Sequence, residues 1–198
     1  MSLRPYLNEN GIEIGLDEVG RGCLAGPVVT AAVILPKDFN YPIVKDSKKL
    51  SEKKRKEAYK LIVDNAISYT VSFIHPQDVD SLNILQATMK GMHECLDSMI
   101  KFNGKEFDHI LVDGNYFKPY KEIPHTCIIK GDNTYYSIAA ASILAKVSRD
   151  EYMIELHNEF PEYGWGSNKG YGTKYHIDMI RTYGETQYHR KSFLKSIL

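Results

Sequence analysis

The sequence is poor in cysteine: Cys23, Cys95 and Cys127 are widely spaced over 198 residues and form no CxxC pair. That excludes a disulfide framework and a thiolate zinc site, and it fits a reducing compartment. Long hydrophobic runs are also missing. The longest nearly apolar stretch, Leu24 to Leu35, is twelve residues broken by Gly26, Pro27 and Thr30, against the ~20 that a membrane helix needs. Met1 to Glu13 carries no apolar signal core, so neither export nor membrane insertion is expected, and a cytoplasmic location is. There is no net charge, since 25 Lys plus Arg balance 25 Asp plus Glu. Only the distribution of charge can therefore speak for a polyanionic partner. The seven histidines are scattered, with no His-Glu-x-x-His, which excludes the common zinc-hydrolase pattern. Repeats, low-complexity tracts and Pro/Ser linkers are absent too. The expectation is one domain over residues 1–198, with about 161–198 as a C-terminal loop and helical subdomain packed on it.

What is present is 43% apolar and 11% aromatic residues, enough for an ordinary globular core. Apolar runs rich in β-branched or aromatic residues predict strands over Ile12 to Leu16, Val28 to Leu35 and Ile67 to Ile74, joined as a meander. Helical spacing predicts helices over Ser51 to Asn65 and Asp80 to Phe102. Strands return at His109 to Val112 and Thr126 to Ile129. A long helix follows over Tyr136 to Phe160, then a loop over Pro161 to Thr173 and a short helix near Tyr175 to Tyr183. This order predicts an α/β fold with a mixed sheet flanked by helices.

Three of the predicted strands run into acids. The first leads to Asp17 and Glu18 and then the glycine-rich Gly20-Arg21-Gly22; the later two lead to Asp113-Gly114 and Lys130-Gly131-Asp132. On a regular strand Asp17 and Glu18 would face opposite ways, so joint action calls for a bend at the strand end. Four carboxylates on one sheet edge would raise one another's pKa unless divalent cations sat among them, and oxygen ligands suit Mg or Mn. The residues alone leave two readings open: a cation centre that processes phosphates, or three unrelated turn aspartates.

The zero net charge hides two basic segments. Lys45 to Lys60 has eight bases against three acids and Trp165 to Leu198 six against two, leaving eleven bases and twenty acids elsewhere. Such segments suit phosphate grips beside a carboxylate centre, although a lysine-rich helix can equally be a solvated face.

Taken together, Asp17-Glu18-Val19-Gly20-Arg21-Gly22, Asp46-Ser47-Lys48-Lys49-Leu50-Ser51, Val112-Asp113-Gly114, Lys130-Gly131-Asp132, Ser137 to Val147, Arg149-Asp150, Gly170-Tyr171-Gly172-Thr173 and His189 to Phe193 closely resemble bacterial ribonuclease HII. The resemblance implies a ribonuclease H-like fold with a mixed five-stranded sheet and a C-terminal helical extension. It implies an endoribonuclease that cuts the RNA strand of RNA/DNA hybrids and nicks duplex DNA 5' of a single embedded ribonucleotide. The ends would be 5'-phosphate and 3'-hydroxyl, and the roles ribonucleotide removal from DNA and RNA primer removal. Carried over by motif, Asp17, Glu18, Asp113 and Asp132 are the catalytic metal ligands, for two Mn2+ or Mg2+ ions in the presence of substrate. Gly20, Arg21 and Gly22 read the 2'-hydroxyl, and Tyr171 stacks on the sugar after the ribonucleotide. Ser47, Lys48, Ser142 and Lys146 match positions near the phosphate backbone. Asp150 matches an outer carboxylate, or else a helix-surface acid paired with Arg149 or Lys146.

Ribonuclease HIII shares the implied chemistry but carries lysine where Arg21 stands and adds an N-terminal domain, for which sixteen residues before Asp17 leave no room. The alternative from another class is a non-catalytic nucleic-acid-binding module, against which retention of all four acids weighs. The stretch Gln187 to Leu198, with Phe193, Leu194, Ile197 and Leu198, is either core cover, the favoured reading, or a sliding-clamp contact. A monomer is expected.

Overall fold

The computed structural model describes residues 3–103, 106–195 and 197. Five strands, β1 (Glu13–Val19), β2 (Val28–Ile34), β3 (Ser68–Ile74), β4 (His109–Asp113) and β5 (His125–Ile128), form one sheet in the order β3-β2-β1-β4-β5. The first three pair antiparallel as the predicted meander, whereas β4 joins β1 and β5 joins β4 in parallel. Helices α1 (Glu52–Asn65), α2 (Pro76–Leu82), α3 (Ile84–Asn103) and α4 (Tyr136–Glu159) precede the short α5 (Trp165–Asn168), α6 (Lys174–Tyr183) and α7 (Lys191–Leu194).

Every residue of β2 is buried, which explains a strand reading Val-Val-Thr-Ala-Ala-Val-Ile without polar alternation. Its Val29, Ala31 and Val33 meet Ala58 and Ile62 of α1 and the alanines of α4 on one face. Ala32 and Ile34 meet Met92, Leu96 and Met99 of α3 on the other, together with Ile14 and Leu16 of β1. A third cluster joins Leu24 and Ala25, after β1, to Met153, Leu156, Tyr163, Trp165, Ile180 and Leu194. Phe193 and Ile197 pack against that cluster, so these C-terminal apolar residues cover core as favoured from sequence; Leu198 lies outside the described residues.

Helix α4 is seated by small residues. Ala139, Ala140 and Ala141 are fully buried, and a Cβ at Gly15 of β1 would lie 2.6 Å from both Ile138 N and Ser137 Cβ. Helix backbone therefore rests almost directly on strand backbone, two residues before Asp17.

Three expectations need correction. β1 does not stop at Leu16: it stays paired with β2 through Val19↔Val29 after β4 has ended, so Asp17 and Glu18 lie within a strand and not at a bend. The helix predicted over Asp80 to Phe102 is two helices. Asn83 has φ 68°, and its Oδ1 accepts from Leu85 N at 3.0 Å and Gln86 N at 3.1 Å, an N-cap that starts α3 afresh; Pro76 opens α2 at a position that tolerates proline. The loop from Pro161 also contains a 3-10 turn, Pro161–Tyr163, as well as α5.

Because the atoms facing Gly15 belong largely to helix backbone, Gly15→Ala is expected to cost about 2–3 kcal/mol, the upper part of the range for overpacking. A thermal melt reads this as a lowered Tm, and an unchanged Tm would mean that α4 can lift off β1 freely.

Candidate active site

β1 outruns β4, and the acids sit in the overhang. Asp17 shares the parity of Gly15 and faces the α4 side, while Glu18 follows Leu16 toward the opposite side. Asp17 is 5% exposed, and its Oδ1 accepts from Glu18 N at 2.6 Å. Arg21 reaches back across the turn, its Nη1 lying 3.3 Å from Glu18 Oε1.

Asp113 closes β4, and its Oδ1 accepts from Gly131 N at 2.7 Å. That bond anchors the 3-10 turn Gly131–Asn133, which carries buried Asp132 to the N-terminus of α4. Asp132 is not directly after β5, which ends at Ile128, but three turn residues later. Lys130 in the left-handed conformation, φ 59°, makes the reversal. Asn133 Nδ2 donates to Asp132 Oδ1 at 2.8 Å and to Asp46 Oδ2 at 3.3 Å. A fifth carboxylate therefore borders the group.

Burial lifts the Asp17 carboxyl well above the usual carboxylate range, and the charges of Glu18, Asp113 and Asp132 push it the same way. Burial raises Glu18 as well, against the charge and hydrogen bond of Arg21, with Asp113 adding to the rise. Asp132 is raised by burial, then by Asp46 and Asp113. Asp46 differs: burial opposes its ionisation, but bonds from Lys48 N–H and the Asn133 amide and the charges of Lys48 and Lys49 hold it below its ordinary value. The four sequence-predicted acids are thus one electrostatically coupled group, with Lys48 facing Glu18 and Asp132. Among the described residues no three acid, His or Cys side chains are drawn together into a ready metal cage, as mutual repulsion dictates. The donors are all carboxylate oxygens, which suits a hard divalent cation such as Mg or Mn and not zinc.

The glycine-rich turn lies beside this group. Gly20 is buried with φ +87°, and a Cβ there would meet Arg149 Cδ at 2.8 Å and Pro27 O at 2.9 Å, so its glycine is required inside the protein. Gly22 is the opposite case: it is exposed, and a Cβ would meet nothing within 4 Å. The segment carrying Tyr171 touches the turn through Leu24 N, which donates to Gly170 O at 2.8 Å. Tyr171 is 42% exposed. Its carbonyl accepts from Nδ1 of buried His176 at 2.9 Å, which leaves His176 Nε2 to accept from Trp165 Nε1 at 3.0 Å. His189 Nε2 lies 3.2 Å from the same nitrogen, while its Nδ1 accepts from Thr186 N at 2.9 Å. Both imidazoles are consequently neutral in the fold. Burial and then the charge of His176 push His189 down to about 4, and burial lowers His176.

Of the residues matched to phosphate contacts, Ser47 and Ser142 are buried and share a 2.8 Å hydroxyl–hydroxyl bond. Lys146 Nζ donates to Asp150 Oδ1 at 2.5 Å, and Asp150 also lies 3.6 Å from Arg55 Nη1. Asp150 is therefore paired with Lys146 and Arg55, not Arg149. Lys48 is exposed. The sequence reading passed over Asp46, Asn133, the His176–His189 pair and two buried arginines, Arg149 and Arg190. Arg190 had counted as one of the bases of a surface grip, yet it is 0% exposed. The detectable signal for Asp46 was its place at the head of the Asp-Ser-Lys-Lys block.

Solved structures identify the fold. Ribonuclease H2 from Pyrococcus horikoshii OT3 superposes with a TM-score of 0.78 at 23% identity, over 94% of this chain and 96% of that one. The ribonuclease HII of the Archaeoglobus fulgidus PCNA:RNase HII complex gives 0.72 at 25% identity, over 91% and 94%. Bst-RNase HIII in complex with Mn2+ gives 0.74 at 21% identity, over 98% of this chain but 71% of that one. The fold is the ribonuclease H-like fold, with a mixed five-stranded sheet flanked by helices. The ribonuclease HII family model matches residues 14–196, and a ribonuclease HII from Christiangramia forsetii is 56% identical over 90% of this chain and 88% of its own. The chain belongs to the ribonuclease HII family, and it is a type HII ribonuclease H, an endonuclease acting on RNA/DNA hybrids. Among the described residues no helix is long and apolar enough to cross a membrane.

Two outcomes follow from the charges. A carboxyl whose pKa is raised in the fold weakens the fold once ionised, so Asp17→Asn is expected to raise Tm in metal-free buffer at neutral pH. A gain of about 1 kcal/mol would read as about 2–4 °C in a chain of this size; a fall in Tm would show that the Asp17 charge is already compensated. His189 has the reverse sign. An unfolded imidazole takes its proton near 6.5 while the folded one waits until about 4, so stability drains as pH falls through that window. Tm measured against pH should drop less steeply there for His189→Asn, and parallel curves would remove His189 from the acid response.

Proposed function

We propose that this chain nicks duplex DNA immediately 5' of a single embedded ribonucleotide, besides hydrolysing the RNA strand of hybrids, leaving 5'-phosphate and 3'-hydroxyl ends. The work this serves is ribonucleotide removal from DNA and RNA primer removal. The observation that carries the reading is the coupled group Asp17, Glu18, Asp113 and Asp132 lying beside an exposed glycine with open space in front of it.

Asp17, Glu18, Asp113 and Asp132 would hold two divalent ions, Mg or Mn, once substrate phosphate joins them, and these ions supply an activated water and stabilise the departing 3'-oxygen. The chain's own residues do the rest. Arg21 steadies the Glu18 carboxylate through their ion pair. The Asp113–Gly131 bond keeps the Asp132 turn against the end of β4. Gly22 gives no protein reason for its missing side chain, which supports close approach of backbone to a ribose 2'-hydroxyl, the group that separates RNA from DNA. Tyr171, partly exposed on a segment bonded to that turn, is placed to stack on the next sugar. Lys48 is free to meet a phosphate. Ser47, Ser142 and Lys146 form the floor next to it, and Lys146 would have to leave Asp150 to reach one.

In this reading residues 161–198 act as a subdomain that brings Tyr171 to the sheet edge, and the protein works as a monomer. A sliding-clamp contact is the partner that the Archaeoglobus fulgidus complex suggests. It would need a surface other than Phe193, Leu194 and Ile197, which face the third core cluster.

The test is labelled duplex DNA with one ribonucleotide, run with Mg or Mn beside an all-DNA duplex. A single metal-dependent nick on the 5' side is expected, with Asp17→Asn reducing it at least 100-fold while the variant stays folded by circular dichroism. Parental activity in Asp17→Asn would overturn the ligand assignment. Tyr171→Ala is expected to lose about tenfold more on the single ribonucleotide than on a long hybrid, and equal losses would reduce Tyr171 to general binding.

A further inference from the structure

Arg149 on α4 and Arg190 just before α7 are both 0% exposed, and among the described residues neither has a carboxylate within ion-pair distance. Burying a guanidinium without a counter-charge costs several kcal/mol unless its donors are met. Here they are met by backbone alone. Arg149 donates from Nε to Pro27 O at 2.8 Å, from Nη2 to Ala25 O at 3.0 Å and from Nη1 to Lys169 O at 2.8 Å. Arg190 donates from Nε and Nη2 to Gly26 O at 3.1 and 2.9 Å, and from Nη1 to Arg21 O at 2.8 Å.

The carbonyls belong to two segments far apart in sequence. One is the turn after β1, which contains Gly20-Arg21-Gly22; the other ends two residues before Tyr171. The Arg149 guanidinium carbon lies 6.0 Å from the Tyr171 ring centroid. Backbone bonds complete the link: Leu24 N and Ala25 N both donate to Gly170 O, and Arg190 N donates to Leu24 O. Three glycines with positive φ clear the way, since a Cβ at Gly20 would crowd Arg149, one at Gly26 would strike Met153 Sδ and come within 3.2 Å of Arg149 Nη2, and one at Gly170 would crowd the Ala25 carbonyl. Arg149 thus spans both segments, while the Arg190 guanidinium grips the turn alone; a planar fork with five donors fixes such an arrangement, whereas an ammonium is a point charge on a flexible stem.

We propose that Arg149 and Arg190 are positioning residues that lock the Gly20-Arg21-Gly22 turn and the Tyr171 segment into one reading surface, making recognition of the ribonucleotide and of the following sugar a single coupled event. This rests on the reading of those two segments as substrate readers. A displacement of about 1 Å at such a surface is worth about 100-fold in rate.

The experiment compares Arg149→Lys, Arg190→Lys, Tyr171→Ala and the double variants on single-ribonucleotide duplex and on long hybrid, with kcat and KM for each and a thermal melt. Each lysine variant is expected to lose 10- to 100-fold in kcat/KM on the single ribonucleotide and about threefold or less on the hybrid, which offers many registers. Adding Tyr171→Ala to Arg190→Lys is expected to cost little more, because both act through one surface. Equal losses on both substrates, or losses that multiply in the double variant, would overturn the clamp and leave a merely structural arginine. A normal Tyr171→Ala effect beside lysine variants with the parental substrate ratio would overturn the clamp alone. A Tyr171→Ala ratio equal to the parent's would overturn the reading of Tyr171, and the clamp with it. Should the lysine variants fail to fold, native-state hydrogen exchange of the parent decides: the Leu24, Ala25, Gly26 and Tyr171 amides are expected to open as one unit, and separate opening free energies would overturn the proposal.

Discussion

The near-contact of backbones between α4 and β1 at Gly15 is the constraint on which the rest depends. An ordinary side chain there would hold the helix off the sheet. With glycine, Ser137 and Ile138 rest on the strand, and α4 then runs along the sheet with Ser142, Lys146 and Arg149 on successive turns. Its first turn receives the Asp132 loop, its second underlies Ser47 through Ser142, and its middle reaches the turn after β1 through Arg149. One helix thereby sets the positions of an acid, a buried hydroxyl pair and a guanidinium that would otherwise answer to three separate loops.

The acids work against this order. Asp17 and Asp132 are buried and Glu18 is half-buried beside them, and their ionisation weakens the fold that holds them. The surrounding core is correspondingly complete: β2 is covered on both faces, and β1 is flanked by β2 and β4 for most of its length. Among the described residues positive charge relieves them only in part, through Arg21 on Glu18 and Lys48 near Glu18 and Asp132. Such a site keeps its charge available for a cation instead of cancelling it internally, which is a common bargain between stability and activity.

Much of this was legible in the sequence, and the failures have physical causes. The five strands followed from short apolar runs, helices α1 and α3 from helical spacing and α4 from a long stretch without Gly or Pro, and Asp113 was readable as a strand end because β4 does stop there. Asp17 and Glu18 were misplaced because pairing with β2 continues after β4 has finished, and no local pattern reports where a neighbouring strand ends. Asn83 hid a helix break, since the apolar spacing runs on across it while its side chain caps the new start. Arg190 read as surface charge because a buried arginine bonded to carbonyl oxygens has no compositional mark; its partners lie 164 and 169 residues away. The pairing of His176 with Trp165 and His189 behind Tyr171 spans only 11 and 13 residues, yet it joins residues across turns, where no periodicity reports it.

Arginines that address carbonyl oxygens are indifferent to the side chains mounted on those peptides. Positions 21 and 22 point outward from a turn whose path is set by Gly20, Gly26 and Gly170 and by two guanidinium groups beneath it. A substitution at position 21 or 22 would therefore change what the turn presents to a substrate without altering the path of the backbone beneath it. The three glycines have no such latitude.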